Sequence, residues 1–362
     1  MLVGQNKPGS ATVRGVFDMR LNRVIRVVSL AAAAVFTVAT ASAAGPYSVV
    51  DKWVIGGTGG WDYLLADPSM HVLYLTHGTR VEVVDTTTGK AVGAITDLKG
   101  THGIALDAEG KYGYISDGGA NALVVFDRKT YAKVNSVATG TNPDGIVYEP
   151  VTKTVWTFNG RSSDTSVIDT ATMKVVATIK LSGKPEFPAA DGKGTVFVNI
   201  EDKNSIARLD AKGLKQTAEW PLTGCESPSG MAMDREHRRL FSVCDGKKMA
   251  VTDADSGKVI KLAEIGEGPD AAGFDAKNQV AFSSNGQDGT LTVVNTKGDS
   301  FDVVQTVETQ KSGRTMAFDS GTGRVYIVAA EMGPKPAPTP ERPNPRASMV
   351  PGSFSVIVVG RK

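Results

Sequence analysis

The stretch Asn142-Pro-Asp-Gly-Ile-Val-Tyr-Glu149 decides the fold, because the chain repeats it. Three more runs follow: Thr154-Val-Trp-Thr-Phe-Asn-Gly160, Thr165-Ser-Val-Ile-Asp-Thr170 and Val175-Val-Ala-Thr-Ile179. Each alternates or is wholly apolar, favours β-branched and aromatic residues, and is bounded by Gly, Asp, Asn or Pro. Such runs are short strands joined by tight turns.

The acidic residue ending the first run recurs as Asp67, Asp107, Glu149, Asp191, Asp234, Asp275 and Asp319, at spacings of 40 to 44 residues. Seven residues later stands an aromatic: Tyr74, Tyr114, Trp156, Phe241, Phe282 and Tyr326, with Phe197 one place early in the fourth copy. A third run ends in Asp85, Asp127, Asp169, Asp210, Asp253 or Asn295, and a fourth run follows each of these. Four strands in about 40–45 residues is the signature of a propeller blade. Seven anchors predict an all-β, seven-bladed β-propeller with four-stranded antiparallel blades. No segment sustains a helical period, which argues against a mixed α/β domain.

Residues 1–43 read as a secretory signal peptide. Arg20, Arg23 and Arg26 precede the Ala/Val-rich run Val27–Thr40, and Ala41-Ser42-Ala43 supplies a small-x-small cleavage site. Met19 is a second candidate start. The predicted location is periplasmic or secreted, with no membrane span left after cleavage. The whole chain has formal charge +2, but the leader carries five basic residues against Asp18, so residues 44–362 carry −2. No global pull toward nucleic acid remains. Tyr47–Ile55 is a strand with no blade before it, while the last copy lacks its fourth strand. The N-terminal strand is therefore expected to complete blade 7. This closes residues 44–362 into one domain without open edges, expected to be a monomer.

The second strands Tyr74-Leu-Thr-His77, Tyr114-Ile-Ser-Asp117 and Phe282-Ser-Ser-Asn285 carry a family likeness. So do Thr141-Asn-Pro-Asp-Gly145 and the Asp-Thr-x-Thr-Gly-Lys turn at 85–90. With them the chain resembles the bacterial YVTN-type β-propeller repeat family over essentially all of residues 47–362; blades 4 and 7 depart most. The resemblance implies a secreted seven-bladed scaffold. Some relatives are reported as DNA binders and others as domains of redox enzymes. It fixes no catalytic residue, so none is assigned.

Five residues before each anchor stand Asp62, His102, Asp144, Glu186, Ser229, Asp270 and Arg314. In a propeller these positions share one face around the channel mouth. Loops between second and third strands add His77, Asp117, Asn159, Glu201, Asp245, Asn285 and Glu331 to that face. The mostly acidic ring suits a small polar or cationic ligand, or a protein partner. Asp62, His102, Asp144 and Glu186 are consecutive around the ring, and carboxylates with imidazole suit a divalent metal ion. Equally, polar side chains can simply solvate a water-filled mouth. The leading reading is a non-enzymatic binding scaffold. The alternatives are a metal-dependent hydrolase of lactonase type and a single-stranded DNA-binding propeller. No Cys-x-x-Cys-His, nucleophile elbow or P-loop pattern appears.

Cys225 precedes the first strand of blade 5 and Cys244 ends its second, so antiparallel pairing sets both on one face. In an oxidising compartment they should form a disulfide. Met332–Gly352 holds seven prolines and separates two strands of blade 7. Such a run cannot pair as an interior strand. It reads as a disordered loop, a basic lid over the acidic mouth, or an arm for a partner.

Overall fold

The computed structural model describes residues 45–362 apart from Pro340, Glu341, Asn344 and Arg346. The predicted signal peptide lies outside the described residues. Seven antiparallel sheets of four strands follow one another along the chain. Their innermost strands, which number blades 1 to 7, are Trp61–Asp67, Thr101–Leu106, Pro143–Glu149, Pro185–Ala190, Met231–Asp234, Pro269–Asp275 and Thr315–Asp319. Each touches the innermost strands of both neighbours, and Trp61–Asp67 lies against Thr315–Asp319, closing the ring.

Closure uses the strand predicted for it. Tyr47–Val54 pairs antiparallel with Ser355–Arg361 as the outer strand of blade 7. The Gln305 side chain of blade 6 ties the join, accepting from the Tyr47 N–H at 3.0 Å and donating to the Tyr47 carbonyl at 2.7 Å. Trp53 packs on Tyr326 with ring centroids 5.5 Å apart.

The anchor residues are acidic for a local reason. All seven are buried. Each carboxylate accepts backbone N–H groups of the turn into the second strand, as Asp319 does from Gly321 and Thr322, and Asp191 from Lys193 and Thr195. These Asx-type turns satisfy donors that the hairpin leaves without strand partners. The aromatics seven residues on are fully buried. They join seven apolar clusters, one at each blade–blade contact; Tyr74, Val83, Ile104, Ile115 and Phe126 belong to the one between blades 1 and 2. The core therefore lies between blades, as in other stacked repeats.

Cys225 and Cys244 are bonded, with Cα atoms 5.4 Å apart. The Pro-rich arm departs from expectation at its base, which is held rather than loose. Gly333 N–H donates to the Ser348 carbonyl, and Val350 N–H to that of Glu331, both at 2.8 Å. Gly352 N–H then donates to the Gly57 carbonyl at 2.9 Å. The prolines take no part in this pairing, because they lack the donor.

Candidate functional site

The ring residues stand where each innermost strand begins, and backbone irregularity aims them. In blades 1, 2, 3, 4 and 6 the pairing with the second strand slips at that point, for example between Trp61 and Leu64 and between Pro143 and Ile146. A bulge re-aims a side chain and leaves backbone groups unpaired. Side chains satisfy several of those groups. Asp62 N–H donates to Thr76 Oγ1 at 2.9 Å, while Thr315 Oγ1 donates to the Asp62 carbonyl at 2.8 Å. Ser116 donates to the Asp144 carbonyl at 2.6 Å, Asn199 to that of Ser229 at 2.9 Å, and Ser284 to that of Arg314 at 2.6 Å. All but the Asp62–Thr76 bond cross from one blade to the next, so the ring is fixed largely by the stacking itself.

Glycine follows the ring residue in blades 2, 3 and 5, because the strands converge there. A Cβ on Gly145 would lie 2.2 Å from the Glu186 carbonyl oxygen, and one on Gly230 would lie 2.6 Å from that of Asp270. The equivalent residues in blades 1 and 4 are Tyr63 and Phe187, which meet in the channel edge to face, with centroids 4.5 Å apart. They form a floor beneath the ring. Above them is a cup of about 640 Å3 lined by all seven ring residues together with Tyr63, Lys184, Glu201 and Asp245.

Six carboxylates in this cup face two fixed cations. Arg314 bonds Asp270, and its other terminal nitrogen lies 3.0 Å from the Trp61 carbonyl and 3.5 Å from Asp62 Oδ1. Asp62 Oδ2 lies 2.7 Å from His102 Nδ1, and Asp144 Oδ1 lies 3.6 Å from the same nitrogen. Lys184 sits 2.6 Å from Glu186 and also bonds Glu201. Burial lowers the His102 pKa, but the Asp62 hydrogen bond and the charges of Asp144, Asp62 and Glu186 outweigh it and raise the value to about 9. Burial first, then the charge of Asp62, raises the Asp144 carboxyl to about 6, and burial, then the charge of Asp144, raises that of Glu186 to about 8. Burial and the neighbouring Glu201 and Glu226 do the same to Asp245. Burial leads the three carboxyl shifts with negative charge adding to it, whereas at His102 the negative charge overcomes burial.

Of the residues expected at this face, Asp117, His77, Asn159, Asn285 and Glu331 do not line the cup. Asp117 is buried and turned back, accepting the N–H groups of Lys99 and Gly100. His77 is buried under Phe354, stacked at 4.3 Å, with Nδ1 3.5 Å from Glu82. The predicted four-residue metal set also separates. Donor atoms of Asp62, His102 and Asp144 lie within 4.8 Å of one another, whereas Glu186 is drawn to Lys184. Tyr63 and Lys184 were missed. Lys184 lies two residues before a ring position, and its proximity to Glu186 is the only sequence signal for it. No described residue of the Pro-rich arm lines the cup.

No protein-family profile matches the chain, and no curated protein matches it. Solved structures do. Hydrazine synthase of Kuenenia stuttgartiensis superposes with TM-score 0.67 at 15% identity, covering 75% of this chain and 92% of that one. The structure of U3-55K gives TM-score 0.71 at 12% identity, covering 86% and 99%. The WD40 repeats of RRP9 give 0.70 at 11%, covering 88% and 99%. Likeness at such identity shows the fold alone. The chain is a seven-bladed β-propeller with WD40-type structural neighbours.

Proposed function

We propose that the protein is a binding scaffold whose cup takes a small cationic ligand, free or carried on the side chain of a partner. The observation that supports this is the charge imbalance: six carboxyl groups line one recess against Lys184, Arg314 and the imidazole of His102. A recess with low-dielectric walls and one predominant sign focuses its field on a counter-ion. The same imbalance speaks against single-stranded nucleic acid, which needs a basic, aromatic groove. The repeat resemblance and the leader-like segment at 1–43 support a periplasmic or secreted location, as does the Cys225–Cys244 disulfide.

Calorimetric titration with spermidine and with guanidinium tests the reading. Binding should occur at one site and weaken as salt is raised. The double substitution Glu201→Gln and Asp270→Asn should weaken it about tenfold or more, a loss of about 1.4 kcal/mol. Absence of saturable binding of both probes at millimolar concentration would overturn it.

A further inference from the structure

Within the cup, one sector differs from the rest. Lys184 neutralises Glu186 and Glu201, and Arg314 neutralises Asp270. In the sector built by blades 1 to 3, Asp62, His102 and Asp144 converge, and Arg314 reaches only the outer Asp62 oxygen, at 3.5 Å. His102 Nδ1 is 2.7 Å from one carboxylate oxygen and 3.6 Å from the other. Donors bound to one ion at about 2.1 Å stand roughly 3–4 Å apart, so a small rotation of the carboxylates would bring all three into a shell.

The sector is also held in place. Asp62 has both backbone groups tied, to Thr76 and Thr315, and its second oxygen lies towards Arg314. The Asp144 carbonyl is held by Ser116. Outer contacts of this kind orient metal ligands. A second, independent feature points at the same space. Tyr63 is 4% exposed and lines the cup, and its hydroxyl has no side-chain hydrogen-bond partner among the described residues. The side chain is buried while its oxygen opens to the cup without a protein partner, so the phenol is free to bond a ligand or a ligand-bound water.

We propose that Asp62, His102 and Asp144 bind a divalent transition-metal ion, with its remaining coordination positions open to the cup. An imidazole among two carboxylates favours Zn2+, Mn2+ or Co2+ over Ca2+ and Mg2+, which prefer an all-oxygen shell. This deepens the cationic-cup reading and rests on it, since it names the cation. The shell has three protein ligands and an open face, the arrangement of sites that present a metal to a bound molecule rather than merely brace a fold.

The test is titration of purified residues 44–362, stripped with EDTA, with Zn2+, Mn2+, Co2+ and Ca2+. Mass spectrometric metal counting and the visible absorption of bound Co2+ are the readouts. One transition-metal ion per chain is expected, with Ca2+ at least tenfold weaker. His102→Gln and Asp144→Asn should each weaken Zn2+ binding at least tenfold, while His237→Gln on the opposite face should leave it unchanged. The Co2+ spectrum of the unsubstituted protein should show nitrogen and oxygen coordination, whatever the substitutions do to folding. Failure of all three transition metals to bind stoichiometrically, with spermidine still binding, would overturn the metal inference and leave the cationic cup standing. Zn2+ lost with His237→Gln would overturn it as a surface site. Failure of both metals and spermidine would overturn both readings.

Discussion

Tyr63 and Phe187 come from blades 1 and 4, on opposite sides of the ring, yet their centroids lie 4.5 Å apart in an edge-to-face contact at 65°. Five small or modest residues fill the equivalent places: Gly103, Gly145, Gly230, Ala271 and Thr315. Two large side chains therefore meet across the channel beneath the acidic ring.

An aromatic pair of this geometry contributes about 0.5–1.5 kcal/mol beyond its buried area. A double-mutant cycle with Tyr63→Leu and Phe187→Leu should return a coupling in that range, measured by urea unfolding. Both single variants should bind small cations more weakly, because water entering from below weakens the field of the carboxylates. Zero coupling would mean that the two rings do not form a joint floor.

Glu186 should make the fold sensitive to alkali. Burial first, then the charge of Asp144, raise its folded pKa, and Lys184 offsets only part of this. A carboxyl whose folded pKa is raised binds its proton more tightly in the folded state. Stability from this group is greatest below the unfolded value of 4.5 and falls as pH rises through the folded value. Glu186→Gln removes the titration. The variant should gain on the parent between about pH 5 and pH 9. Each unit of displacement corresponds to about 1.4 kcal/mol. Parallel stability–pH curves for variant and parent would contradict this.

Ring closure should be the point at which the protein is easiest to break. Removing residues 47–55 leaves Ser355–Arg361 as an open, apolar edge strand and uncovers Tyr326 and Phe282. Exposed edges of this kind pair with other chains. The truncated protein should aggregate in sedimentation analysis. Gln305→Ala should cost about 1–2 kcal/mol in chemical unfolding while leaving the protein monomeric, since it removes two hydrogen bonds from the join.

The blade count and the ring were legible in the sequence for one physical reason. The anchor carboxylate must cap its turn in every blade, so it recurs, and the ring residue keeps a constant offset from it. The contents of the cup were only partly legible. Asp117 and His77 end their second strands, whereas Glu201 and Asp245 stand one residue beyond the end of theirs, and only the last two line the cup. What separates them is local. Asp117 finds the free N–H groups of Lys99 and Gly100, and His77 is covered by Phe354, which follows the Pro-rich arm. The Tyr63–Phe187 floor was invisible, because it joins residues from blades 1 and 4 that no blade-local pattern connects.

The Pro-rich arm divides into a part that the fold needs and a part that it does not. Phe354 is fully buried, stacks on His77 and packs on Trp61 with centroids 5.6 Å apart. Its carbonyl accepts the N–H groups of both Ile55 and Gly56 at 2.9 Å. Phe354→Ala should therefore cost about 3–5 kcal/mol, the usual range for emptying a buried aromatic site. The described residues of the distal arm make no such contacts. Removing residues 334–347, with a short Gly-containing turn joining Gly333 to Ser348, should change stability by less than about 1 kcal/mol, since loop closure depends only weakly on length. Spermidine affinity should also be unchanged, because no described residue of the arm lines the cup. A protease should cut the parent within the distal arm equally fast at low and high salt, leaving the propeller intact. Protection at low salt that vanishes at high salt would instead mean that the basic arm lies over the acidic mouth, and the deletion should then alter ligand binding.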